Sequence, residues 1–113
     1  MPTYFKLVRD RIPEIIKMNG QKLDYRRIDG EEFILEAKKK LNEEIKEYLE
    51  AQNSEQAVEE LADLVELIYC LAERHGYSNS ELEAIRFEKS ERRGSFQDHR
   101  QSDCQAQRTQ GCI

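Results

Sequence analysis

The stretch Glu43-Glu44-Ile45-Lys46-Glu47-Tyr48-Leu49-Glu50-Ala51-Gln52-Asn53-Ser54-Glu55-Gln56-Ala57-Val58-Glu59-Glu60-Leu61-Ala62-Asp63 decides the fold. It holds two acidic pairs, Glu44 with Glu47 and Glu60 with Asp63, each spaced i, i+3 and separated by twelve residues. On a helix this spacing puts both carboxylates of a pair on one face. The gap is long enough for one helix to end, turn at Asn53-Ser54 and return as a second, antiparallel helix. Four carboxylates then converge between two helices. Such a cluster repels itself unless cations neutralise it. An all-oxygen cage of this kind suits a hard divalent ion, Mg²⁺ foremost, with Mn²⁺ as the alternative.

Working outward, the first long helix runs from about Gly30 to Gln52, and Asp29 with Glu32 resembles a capping box before it. Ser54 can cap the second, which ends near His75 with Gly76 after it. Ser78 with Glu81 forms another capping box, opening a helix from about Asn79 to Arg93 that Gly94 ends. Upstream, Asp10 can cap a short helix through Ile12, Ile15 and Ile16, with Pro13 tolerated in the first turn and Gly20 as its stop. Lys22 to Ile28 alternates weakly and reads as a short extended arm. The expected class is all-α, built on two long antiparallel helices.

At about 100° per residue, the wheel sorts the carboxylates. On the first long helix Phe33, Ile34, Ala37, Leu41, Ile45, Tyr48 and Leu49 form one apolar arc. Glu44 falls inside that arc and Glu47 just beyond its edge. On the second, apolar residues from Ala57 to Ala72 cover well over half the circumference, and Glu60 projects between Leu67 and Leu71. A carboxylate in an apolar arc is costly unless it is paired or holds a metal. Glu31, Glu32, Glu36, Glu50 and Glu55 need no explanation beyond solvated charge. Lys40, one turn before Glu44, offers a simpler partner through an i, i+4 ion pair. The second helix is too apolar for one neighbour to cover, so protomers are expected to pack into a shared bundle, a homodimer or homotetramer.

The chain has 113 residues, 36% of them charged, with a net charge of −5. It is one domain with a modest core, and its charge argues against a general nucleic-acid or membrane-surface binder. From Glu47 to Glu73 there are eight acidic residues and no Lys, Arg or His. Basic residues collect at Lys6, Arg9 and Arg11, and again at Arg86, Lys89, Arg92 and Arg93. This arrangement suggests metal in the middle and phosphate at the edges. Lys89 and Arg93 are spaced i, i+4 and can face one anion together; favourable charge at a helix C-terminus is the plainer reading. Lys6 and Arg9 can supply further phosphate contacts, or stand as exposed charge. The two histidines, His75 and His99, do not follow a glutamate at the spacing a di-iron bundle needs. An EF-hand is excluded because its Asp- and Gly-rich loop is missing. Cys70, Cys104 and Cys112 show neither a disulfide framework nor zinc spacing, and Cys70 reads as a core filler. Neither a membrane span nor a signal-peptide pattern is visible, so the expected compartment is the cytoplasm.

Three segments now carry a resemblance. Glu43-Glu44-Ile45-Lys46-Glu47 followed by Glu60-Leu61-Ala62-Asp63 resembles the EExxE…ExxD motif of MazG-like all-α nucleoside triphosphate pyrophosphohydrolases. Lys6-Leu7-Val8-Arg9-Asp10-Arg11-Ile12-Pro13-Glu14-Ile15-Ile16 is similar to the opening of small members related to phosphoribosyl-ATP pyrophosphohydrolase. Glu88-Lys89-Ser90-Glu91-Arg92-Arg93-Gly94-Ser95-Phe96 is similar to their Lys-x-x-x-Arg-Gly-Gly-Phe ending, with Ser95 where a second Gly stands. The resemblance implies a MazG-like domain over residues 1–96 and leaves 97–113 as a polar tail outside it. It implies hydrolysis of a (d)NTP to (d)NMP and pyrophosphate, with Glu44, Glu47, Glu60 and Asp63 as Mg²⁺ ligands. Glu43 would orient water or a second ion beside Glu44 and Glu47, and Lys6, Arg9, Lys89 and Arg93 would contact phosphate. Phosphoribosyl-ATP is the substrate alternative. A helical oligomerisation or regulatory module without catalysis is the alternative from another class.

Overall fold

A computed structural model of the protein describes residues 6–102. The last residues of the polar tail, with Cys104 and Cys112, lie outside that range, as do the first five residues. The described chain folds into four helices and contains no strand. They are α1 (Ile12–Met18), α2 (Gly30–Leu49), α3 (Ser54–Arg74) and α4 (Asn79–Arg93).

The helix ends follow local chemistry. α1 and α3 both close in a Schellman motif on a glycine with positive φ. At α3, the Tyr77 N–H donates to the Ala72 carbonyl at 2.9 Å and the Gly76 N–H to Glu73 at 3.0 Å, with Gly76 at φ +89°. At α1, Gln21 donates to Ile16 and Gly20 to Lys17 in the same pattern, with Gly20 at φ +77°. α4 opens in the capping box expected of Ser78 and Glu81, with both reciprocal hydrogen bonds formed.

Several local expectations change, among them the cap of α3, which is Asn53 rather than Ser54. Asp29 makes no side-chain cap bond to α2, and its neighbour Arg26 pairs with Glu32 instead, at 2.9 Å. The Glu32 side chain is thereby turned away from a reciprocal cap. Arg11 rather than Asp10 holds the N-cap position of α1, again without a side-chain cap bond. α2 stops at Leu49, three residues before Gln52. There Asn53 is the N-cap of α3, accepting from the Gln56 N–H at 2.8 Å, and the Gln56 side chain accepts from Gln52. The turn therefore needs residues 50–53 for itself. Residues 21–29, which include the proposed extended arm, form neither helix nor strand.

α2 and α3 pack side by side, and α4 packs on α3 but not on α2. Arg74, at the end of α3, sits over the ring of Phe33, near the start of α2. That contact joins the far ends of the two helices and requires them to be antiparallel. α1 packs against no other helix. The core is slight: among the described residues only Ala37 and Glu44 are buried. Cys70 is half-buried on α3, and burial raises its thiol pKa. No described helix is long and apolar enough to cross a membrane.

Candidate metal centre

The α2–α3 turn brings the two acidic pairs to one level of the hairpin. Two groups of carboxylates form there, one of Glu43, Glu44 and Glu47 and one of Glu44, Glu60 and Asp63. Within each group one oxygen per residue lies within 4.8 Å of the others. Glu44 belongs to both groups and is the pivot of the centre.

Burial separates the five residues. Glu44 is 5% exposed. Glu43, Glu60 and Asp63 are half-buried, and Glu47 is exposed. One oxygen of Glu44 meets the Lys40 ammonium at 3.4 Å, and the same ammonium lies 3.4 Å from Glu43. The Oε2 atoms of Glu44 and Glu60 are buried with no hydrogen-bond partner. The i, i+4 pair with Lys40 is therefore present but serves only one side of Glu44. A buried acceptor without a partner costs about 1–3 kcal/mol, more when charged. The site resolves this cost by taking up a proton or by holding a cation.

The electrostatics record the same conflict. Burial first, then contact with Glu60 and the charges of Glu47 and Asp63, push the Glu44 carboxyl up to about 7 against the opposing pull of Lys40. Contact with Glu60, followed by burial, raises Glu47 as well. Glu43 behaves differently. Burial would raise it, but Lys40 and Lys6 outweigh burial and hold it below the usual carboxylate range. Lys40 itself is raised, because the attraction of Glu43 and Glu44 exceeds its own desolvation.

These donors fit a hard divalent ion. All are carboxylate oxygens, they come from two rigid helices, and two inward oxygens lack partners. Histidine and cysteine are missing from both groups, which disfavours zinc or a di-iron centre.

The basic residues are distributed less simply. Lys6 donates to Glu43 at 3.3 Å, and Arg9 is hydrogen-bonded to Asp63. The opening segment thus lies against the acidic centre. Charge complementarity between Lys6, Arg9 and the acidic run of α2–α3 is the sequence signal for this pairing. Lys89 and Arg93 stand exposed on α4, which packs on α3 alone. Tyr48 is exposed and Tyr69 half-buried. Compared with protein-family models, with curated proteins and with solved structures, the chain matches none.

Proposed function

We propose that this protein is a Mg²⁺-dependent nucleotide pyrophosphohydrolase that converts (d)NTPs to (d)NMPs and pyrophosphate, with a house-cleaning role. The observation that carries the proposal is the buried Glu44, whose carboxylate clusters with that of Glu60, each keeping a buried Oε2 without a hydrogen-bond partner. The reaction itself rests on the resemblance of the EExxE…ExxD motif, which these same carboxylates form.

In this reading Glu44, Glu47, Glu60 and Asp63 hold the divalent ion, Mg²⁺ or Mn²⁺. When bound, the ion would neutralise polyphosphate charge and stabilise what develops at the reacting phosphorus. Water adds its oxygen to the α-phosphorus, the bond from that phosphorus to the β-bridging oxygen breaks, and pyrophosphate leaves. Glu43 suits the orientation of that water, because its cation partners keep it ionised and able to accept a hydrogen bond. Glu44 and Glu47 complete the catalytic face. Lys6, Arg9, Lys89 and Arg93 are assigned to phosphate.

The bundle is proposed to be completed by a second copy. Val58, Leu61, Val65 and Ile68 form one exposed apolar stripe on α3, and no residue of that helix is buried. An apolar helix with so little cover in one chain is stabilised when two hairpins close on each other.

The test is a nucleotide panel with Mg²⁺ that measures NMP and pyrophosphate separately from phosphate, with phosphoribosyl-ATP run alongside. The expected result is equimolar NMP and pyrophosphate, abolished in Glu60→Ala or Asp63→Ala while helicity and assembly persist. Retained activity in those variants would remove the site assignment. Turnover of phosphoribosyl-ATP alone would move the substrate. Failure to bind either Mg²⁺ or a non-hydrolysable nucleotide would favour the non-catalytic module.

A further inference from the structure

The two cations of the opening segment occupy the acidic centre in an ordered way. Lys6 pairs with Glu43, a member of one carboxylate group, and Arg9 pairs with Asp63, a member of the other. These partners are 37 and 54 residues away in sequence and lie on different helices, so the segment spans the hairpin. Because α1 packs against no other helix, the two ion pairs are the polar attachments of this segment to α2 and α3 among the described residues. Both cations are 57% exposed, and exposed pairs of this kind are weak. The two inner carboxylates are not covered in the same way, since Glu44 and Glu60 each keep a buried oxygen without a partner.

We propose that Lys6 and Arg9 form an exchangeable cationic strap, neutralising the outer carboxylates of the metal-free protein and giving way to a divalent ion. The inference rests on the metal–polyphosphate reading of the site and deepens it. An ion can enter at Glu44 and Glu60 without breaking the strap. Recruiting Asp63 then requires Arg9 to leave. A released guanidinium keeps its charge and presents a planar fork that matches phosphate oxygens. The same two side chains therefore oppose Mg²⁺ binding alone and favour binding of Mg²⁺ with a polyphosphate. A surface ion pair with no further role would oppose the first without helping the second.

The experiment is calorimetric titration of the full chain and its Lys6→Gln/Arg9→Gln variant. MgCl₂ is titrated first, then inorganic triphosphate at saturating Mg²⁺. The variant is expected to bind Mg²⁺ about three- to tenfold more tightly, the scale of two weak ion pairs, and triphosphate more weakly by a similar factor. The charge-keeping Lys6→Arg/Arg9→Lys variant is expected to match the wild type in the Mg²⁺ arm and to fall between the wild type and the glutamine variant in the triphosphate arm, because Arg9→Lys keeps the charge but loses the fork. In the unmutated protein, hydrogen exchange across residues 6–11 is expected to quicken when Mg²⁺ is added. Equal Mg²⁺ affinity in wild type and variant, with unchanged exchange, would overturn the strap while leaving the metal site standing. Absence of Mg²⁺ binding in every protein would overturn the metal reading itself.

Discussion

Glu44 is held on one side by the Lys40 ammonium at 3.4 Å and keeps its buried Oε2 without a partner. Its position in the apolar arc of α2 was readable from the helical period alone, and it is one of two buried residues in the described chain. The depth of its conflict was not readable, because that depends on Glu60 arriving from α3 with its own unpartnered oxygen. A pH dependence follows. The carboxyl is raised from 4.5 to about 7 in the folded protein, so the fold binds this proton more tightly than the unfolded chain does. Its stabilising contribution is full below about pH 4.5 and is lost as pH rises through about 7. At about 1.4 kcal/mol per pKa unit, the ionised form costs on the order of 3 kcal/mol. Thermal melts of the metal-free protein are expected to fall across that window. Glu44→Gln, which cannot ionise, is expected to flatten the decline, and Mg²⁺ is expected to raise the neutral-pH melt of the wild type only. An identical pH profile in the variant would show that Glu44 is not the strained group.

At the scale of elements, the two long helices were legible because their apolar arcs run for more than four turns, which no strand period imitates. The glycine stops at Gly20 and Gly76 and the box at Ser78 were legible because each depends on a few consecutive residues. Asp29 makes no cap bond to α2, and the Glu32 carboxylate that would complete the box pairs with Arg26, a competing partner that spacing does not reveal. The partners of Lys6 and Arg9 were not legible for a related reason: Glu43 and Asp63 lie far away in sequence, and only the folded hairpin presents them. The box at α4 allows a local test. Ser78→Ala removes the acceptor of the Glu81 N–H and is expected to destabilise the protein by about 1 kcal/mol, seen as a lower denaturant midpoint with an unchanged slope. An unchanged midpoint would show that α4 frays independently of the rest.

At the scale of the whole molecule, the slight core is the governing fact. With only Ala37 and Glu44 buried, the described chain lacks the interior that its apolar α3 stripe could fill. The proposed second copy supplies that cover, and stability then depends on concentration. Val65→Glu with Ile68→Glu puts charge in the stripe and is expected to halve the mass measured by light scattering and lower the melting temperature. An unchanged mass would place the interface elsewhere or leave the chain monomeric. The acidic centre is predicted to lose activity along with the assembly, since the helices that carry it are held by little within one chain.

The most direct measurement is divalent-ion binding to the wild type and to Glu60→Gln, read by Mn²⁺ electron paramagnetic resonance with Mg²⁺ competition. Glutamine keeps the shape of Glu60 and removes its charge. Saturable Mn²⁺ binding to the wild type, displaced by Mg²⁺, is expected, with a loss of at least tenfold in affinity (roughly 1.4 kcal/mol) in the variant at unchanged helix content. No binding by the wild type, or equal binding by the two proteins, would contradict the claim that the paired carboxylates of α2 and α3 hold a metal.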